Sequence, residues 1–396
     1  METIRASRPG IRFRPVGASF LATLLIALAA PAVSRAQTMK LLYSFTAGAD
    51  GEDPIGGLVS DASGNLYGET AFGGAVACSA NKRYGCGTVY KFNPKQGLSV
   101  LVSFSGPNGA SGQSTLTLSG NTLYGTTVIG GASNDGTVFS VHTDGTGFTL
   151  LHQFDGADGK QPAGTLQIGT DGTVYGVTFT GGPNKDGVLF SIKPGGTFTI
   201  LHAFSGGTDG MDPESLQVSK TGVLVGSSVD GGPVEDGCPY GCGTIFEYFP
   251  GTGQYHVPFL FGTNGNGGAI GRIGKGPTIY GADTYSVYSI DADLGLVNLG
   301  IFNAVEVGGI GSGPVLTKSG ALIGVVGAGP IQGSGYLYSV PSNAVNGTVT
   351  IIAGFGGSIG AVPQGQPLVR PKGAIIGTAS TQGLCSACGT IWEYLP

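Results

Sequence analysis

The stretch Asp61-Ala62-Ser63-Gly64-Asn65-Leu66-Tyr67-Gly68, answered after a glycine-rich loop by Gly87-Thr88-Val89-Tyr90, decides how this chain folds. Asp-x-x-Gly marks a tight turn, because the Asp side chain bonds the backbone just ahead and glycine accepts the reversal. The runs on either side are short, apolar, β-branched or aromatic, and bounded by Gly, Asp and Asn, which predicts strands. The same text recurs six times. Tyr124-Gly125, Tyr175-Gly176, Val225-Gly226, Tyr280-Gly281, Ile323-Gly324 and Ile376-Gly377 repeat the first strand. The second returns as Gly136-Thr137-Val138-Phe139, Gly187-Val188-Leu189-Phe190, Gly243-Thr244-Ile245-Phe246, Tyr285-Ser286-Val287-Tyr288, Gly335-Tyr336-Leu337-Tyr338 and Gly389-Thr390-Ile391-Trp392.

Two more strands complete each unit. One ends in phenylalanine, at Phe45, Phe104, Phe154, Phe204, Phe261, Phe302 and Phe355, with steps of 59, 50, 50, 57, 41 and 53 residues. The other is an apolar segment around Leu58, Leu116, Leu166, Leu216, Ile273, Leu316 or Leu368. No segment of the mature chain carries a helical period. Four short strands reversing at Asp-Gly turns suit an antiparallel blade, whereas a parallel β-helix needs coils of about half that length. The expected fold is all-β, a seven-bladed β-propeller of four-stranded antiparallel blades, which leaves only short edges exposed. The chain begins on an aromatic-ended strand and ends one strand short of a full unit. Residues 39–45 are therefore expected to close the last blade. The expected repeats are 46–104, 105–154, 155–204, 205–261, 262–302, 303–355 and 356–396 plus 39–45, together a single domain over 37–396.

At these residues the sequence resembles the GloVer tandem repeat of exported bacterial proteins, a family of choice-of-anchor type. The frame Asp61-x-x-Gly64-Asn65-Leu66-Tyr67-Gly68-x-Thr70-x-x-Gly73-Gly74 carries the likeness, with Leu123-Tyr124-Gly125-Thr126-Thr127, Gly130-Gly131, Tyr175-Gly176 and Gly181-Gly182. The match is clear in the first four units and the last, and poor across 255–349. The resemblance implies an extracytoplasmic location and no particular reaction. Family members often end in a sorting anchor; its lack here implies release or periplasmic residence.

Composition narrows the class. There are 76 glycines with no Gly-X-Y period, which excludes collagen. Arg5, Arg8, Arg12 and Arg14 precede an apolar run from Ala18 to Ala30, and Ser34-Arg35-Ala36 places small residues before Gln37, the layout of a secretory signal peptide over 1–36. The run is too short for a membrane span, so no membrane insertion is expected after cleavage. Residues 37–396 hold 14 basic and 23 acidic residues, a net charge of −9 that repels phosphate backbones and excludes nucleic acid as a partner. A secreted or periplasmic monomer is expected.

Six cysteines sit in the loops before the Gly-Thr strand: Cys78 and Cys86, Cys238 and Cys242, Cys385 and Cys388. An even count in an exported chain predicts disulfides, and pairing within each loop is the simplest connectivity. A zinc site joining Cys385 and Cys388 to Cys78 and Cys86 is the competing reading, and a redox dithiol at 385–388 is another. Acidic residues recur in the loops after the phenylalanine: Asp50 and Asp53, Asp158, Asp209 and Asp212. Asp135, Asp186 and Asp236 mark the loops expected on the same face. Such a crown is a candidate Ca²⁺ or cationic-ligand face. The alternative is that Asp-Gly simply makes turns, since no segment has the spacing of a dedicated calcium loop. No other cofactor is expected.

Catalytic motifs are absent. His152 and His202 each stand two residues before a strand-ending phenylalanine, which points to repeated packing. His142 and His256 have no sequence neighbours suited to catalysis, and no nucleophile elbow, metal-binding helix or phosphate loop occurs. Two functional classes remain: a non-enzymatic module binding glycan or protein on the loop face, and a propeller enzyme acting on extracellular polysaccharide or a lactone-like ring. The enzyme reading points to one-off residues in 255–349, namely His256, Arg272, Lys275 and Glu306.

Overall fold

A computed structural model describes residues 38–75, 78, 85–234, 238–262, 270–273, 278–283, 286–291, 295–302, 312–327, 334–381 and 388–396. The expected signal segment lies outside them. Seven antiparallel sheets follow one another along the chain as the blades of a propeller. Blade 1 consists of Val59–Ser60, Leu66–Thr70, Thr88–Asn93 and Gly97–Ser103. Blades 2 to 6 run from Thr117–Ser119 to Thr149–Gln153, Lys160–Ile168 to Phe198–Ala203, Met211–Val218 to Gln254–Leu260, Ile270–Ile273 to Gly295–Ile301, and Val315–Leu316 to Thr350–Gly354. Blade 7 has only three strands of its own, Leu368–Val369, Ile375–Ala379 and Thr390–Leu395. Its fourth is the N-terminal strand Thr38–Ser44, antiparallel to Thr390–Leu395 with Lys40 opposite Glu393. The expected closure is present.

The repeated residues explain themselves at the interfaces. In every unit the glycine of the Tyr-Gly strand lies against an aromatic ring on the neighbouring strand. A Cβ on Gly176 would stand 2.5 Å from Phe190 Cζ, and the other six meet Tyr90, Phe139, Phe246, Tyr288, Tyr338 and Trp392 in the same way. Each of these rings takes the edge or face of the phenylalanine that ends the preceding blade, at 5.0 to 5.5 Å between centroids. The seven pairs, from Phe45–Tyr90 round to Phe355–Trp392, sit within seven buried clusters, one at each junction between consecutive blades. Edge-to-face aromatic pairs add about 0.5–1.5 kcal/mol each beyond the area they bury. Glycine is thus required because a ring occupies the space of its side chain.

A register shift interrupts the pairing of the outermost strand in every blade, as between Val138 and Phe139 or Leu189 and Phe190. Such bulges re-aim the side chains that follow them. Blade 5 has a feature the repeat did not announce: Gly347–Thr348 adds a parallel strand beside Gly300 and Ile301. Asn346 N–H donates to Asn298 O at 2.8 Å, tying this loop of blade 6 onto the edge of its neighbour.

Candidate functional site

The inter-blade loops and the loops before the Gly-Thr strands do share one face. Glu52 bridges Phe72, Ala110 bridges Ile129 and Ala361 bridges Thr381, each joining one loop type to the other. Cys78–Cys86 and Cys238–Cys242 are disulfides on that face. Cys388 is also disulfide-bonded, while Cys385 lies outside the described residues. With Cys78 and Cys86 joined to each other, the zinc reading loses two of its four thiolates.

The acidic residues separate into two sets. Asp50, Asp158 and Asp209 each close their own loop. Asp50 accepts from Tyr43 Oη and Thr46 N–H, both at 2.9 Å. Asp158 accepts the Asp155 N–H at 3.0 Å and lies 2.7 Å from His152 Nε2. Asp209 accepts from Ser205 N–H at 2.8 Å and lies 2.9 Å from His202 Nε2. Burial pushes the Asp209 carboxyl upward, but the bonds from His202 and Ser205 outweigh it and hold it below the ordinary range. Blade 1 uses Asn108 for the same turn, accepting from Ser105 N–H at 2.7 Å.

The His-carboxylate pairs belong to this packing. His152 stacks on Phe198 at 3.8 Å between centroids and His202 on Tyr255 at 3.6 Å, with the bulges turning both rings toward the loop. Tyr43 holds the corresponding place on the closing strand. All three are on outermost strands. His256 is exposed on another, opposite Glu247. Lys275 and Glu306 lie outside the described residues, as does the side chain of Arg272. Among the described residues, no group of three or more His, Cys, Asp or Glu is arranged to hold a metal ion.

Asp53 and Asp212 do something different. Each has a left-handed backbone, at φ 59° and 55°, and so do Ser111, Gln161 and Val362 at the equivalent position of blades 2, 3 and 7. Such a conformation in a non-glycine residue is uncommon and persists only where neighbours enforce it. Here the neighbour is the preceding blade: Asp53 N–H donates to Cys388 O, Ser111 to Cys86 O, Gln161 to Asp135 O, Asp212 to Asp186 O and Val362 to Ser334 O, at 2.9 to 3.3 Å. Burial, aided by the Glu52 charge, pushes the Asp53 carboxyl up to about 6 against a hydrogen bond from Ser380. Burial and the charges of Asp230 and Asp186 push Asp212 up to about 6 as well.

Two residues beyond each left-handed position stand Ile55, Gln113, Ala163, Glu214 and Gln364. All five line one cavity of about 430 Å³. Further along the same segments Thr115, Thr165, Leu216 and Gln366 continue the wall, so this is the central channel around which the blades are set. The innermost strands approach closely because Gly57 and Gly164 face backbone: a Cβ on Gly57 would stand 2.7 Å from Gln366 O. The channel wall is the place where the repeats differ in sequence. It carries five glutamines, several hydroxyls and one carboxylate. Glu214 is exposed to the channel, yet protein surrounds it, and burial raises its carboxyl above the ordinary range.

Glu69 lies just behind this wall, and nothing in the repeat frame singled it out. It is fully buried; Ser114 Oγ lies 3.4 Å from Oε2, and Oε1 has no hydrogen-bond partner. Burial drives its carboxyl well above the usual range, with Ser114 opposing. A folded-state pKa above the unfolded one adds stability that is full below the unfolded value and drains away as pH rises toward the folded one. Glu69→Gln is therefore expected to gain on the native protein with increasing pH. By pH 8 the variant should be the more stable of the two, because an amide has no charge to bury. Thermal melts of both proteins at pH 5 and pH 8 check this; a constant difference between them contradicts it.

No curated protein matches this chain. Among solved structures, the extracellular domain of a putative hybrid two component system from B. thetaiotaomicron is similar with a TM-score of 0.58 and 11% identity. That likeness covers 90% of this chain, which spans only 39% of the length of that structure. Virginiamycin B lyase from Staphylococcus aureus is similar with a TM-score of 0.55 and 11% identity, covering 91% of this chain and 100% of the lyase. A chain of a mitotic checkpoint complex gives 0.56 and 14%, covering 96% and 99%. At such identities the likeness is one of fold, which these proteins put to different uses. Sequence is more specific: the model of the Gloeobacter/Verrucomicrobia repeat matches residues 32–240, more than half of the chain. The stapled Gly-aromatic units and that match together place this protein in the Gloeobacter/Verrucomicrobia repeat family.

Proposed function

We propose that this protein is an extracytoplasmic, non-catalytic binding module that seats a glycan in the mouth of the central channel, after export directed by residues 1–36. One observation carries this reading: the residues that differ between repeats, Ile55, Gln113, Ala163, Glu214 and Gln364, converge on a single cavity, while the repeated ones pack the blades against one another. A cavity of about 430 Å³ falls within the ordinary size of small-ligand sites rather than of a protein interface. Its amides and hydroxyls supply paired donors and acceptors for sugar hydroxyls. The disulfides at Cys78–Cys86 and Cys238–Cys242 favour an oxidising compartment. Catalysis is the weaker reading because the His-Asp pairs stand on outermost strands, away from the channel.

Glycan-array and polysaccharide pull-down with the exported protein test this, set against Gln113→Leu/Gln364→Leu. Binding that the double variant loses while keeping its melting temperature supports the proposal. Binding to a protein alone, or turnover of a polysaccharide, would replace it.

A further inference from the structure

Among the described residues, the channel wall carries one formal charge and no opposite one. Glu214 is the sole ionisable side chain among the described lining residues, and it has no ion-pair partner among the described residues. Lys, Arg and His are absent from that lining. The charge is not a consequence of the repeat. Its equivalents in blades 1, 2, 3 and 7 are Ile55, Gln113, Ala163 and Gln364, so glutamate here is a departure among neutral described residues. The innermost strand of blade 4 projects it into the cavity beside Ser215, whose hydroxyl lies 2.6 Å from Ser227 Oγ within the blade.

We propose that the channel selects a saccharide bearing a free amine, with Glu214 receiving the ammonium group and Gln113, Gln161 and Gln364 bonding the hydroxyls around it. This rests on the reading of the channel as a glycan seat and adds the class of glycan. A neutral sugar filling the channel displaces the water around Glu214 and leaves a carboxylate without compensation, which is costly. An ammonium group in its place forms a charge-assisted hydrogen bond, about twice as strong as a neutral one. An acidic sugar meets the same carboxylate and a chain whose residues 37–396 carry a net charge of −9. A simple polyamine satisfies the charge but leaves the five glutamines of the wall unmatched.

Calorimetric titration of the exported protein with short glucosamine oligomers, N-acetylglucosamine oligomers and glucose oligomers of one length tests the assignment. The free-amine oligomer is expected to bind about 10- to 100-fold more tightly than the other two, the range of one charged hydrogen bond. Its affinity is expected to fall as salt is raised, while that of the neutral oligomers stays level. Glu214→Gln should bring all three to similar affinity without lowering the melting temperature, since no ion-pair partner of the carboxylate stands among the described residues. Equal binding of the three by the native protein, with no salt dependence, overturns the amine selectivity and leaves the glycan seat standing. Absence of binding by any of the three overturns both.

Discussion

Removal of residues 37–46 is expected to unfold the whole ring, not to fray one end of it. The strand Thr38–Ser44 supplies the outer edge of blade 7 through six registered pairs with Thr390–Leu395. Immediately after it, Phe45 is fully buried, donates its N–H to Gly389 O at 3.1 Å and meets Tyr90 of blade 1 at 5.1 Å. The cluster around it holds Leu58, Leu66 and Phe92 of blade 1 against Ile376 and Ile391 of blade 7. Loss of one buried phenylalanine costs about 3–5 kcal/mol, so loss of the strand with it should exceed about 5 kcal/mol, comparable to the whole stability of many domains. Circular dichroism melts and soluble yield of the truncated protein check this. A truncation that melts within a few degrees of the full chain would show that the ends do not hold the ring.

Gly176→Ala is the smallest substitution from which a large effect is expected. The added methyl would stand 2.5 Å from Phe190 Cζ and 2.8 Å from Leu166 Cδ2, and neither can retreat. Phe190 is fully buried, with Phe154 edge-on at 5.4 Å and Phe198 stacked at 5.5 Å. Overpacking of this kind costs about 1–3 kcal/mol, although alanine gains a little in a strand through a less flexible unfolded chain. Phe190→Leu removes the ring and should itself destabilise. Combined with Gly176→Ala it should cost less than the sum of the two, because the clash is gone. Denaturant titration of the two single variants and the double variant measures that coupling. Strict additivity would mean that the glycine and the ring do not share the space.

The same contacts explain why the fold was open to reading and the site was not. Phenylalanine, glycine and a second aromatic recur because each blade solves the same packing problem against its neighbour. Their spacing therefore carried the number of blades and the closing strand. The Asp50, Asp158 and Asp209 loops were visible for the same reason, but their role as caps of their own turns depends on Tyr43, His152 and His202 being swung over by a bulge. No text pattern announces a bulge. The left-handed backbone at Asp53, Ser111, Gln161, Asp212 and Val362 is likewise imposed by a hydrogen bond to another blade, and four different residue types adopt it. Beyond it, Glu214 and Gln113 escape a search for repeats because they occupy positions where the repeats disagree. Glu69 stands where Thr126 stands in blade 2, one substitution among many until its burial is known. A tabulation of what differs at each equivalent position, rather than what is shared, would have drawn attention to both glutamates.

A cross-link between the two ends of the chain tests the closed ring most directly. Lys40 and Glu393 face each other across the joint between the first strand and the last. Lys40→Cys/Glu393→Cys in the exported protein is expected to form one additional intramolecular disulfide in nearly every molecule, found by peptide mapping without reduction, and to raise the melting temperature. Two free thiols at these positions, or a bond formed only between separate molecules, would contradict the ring as described.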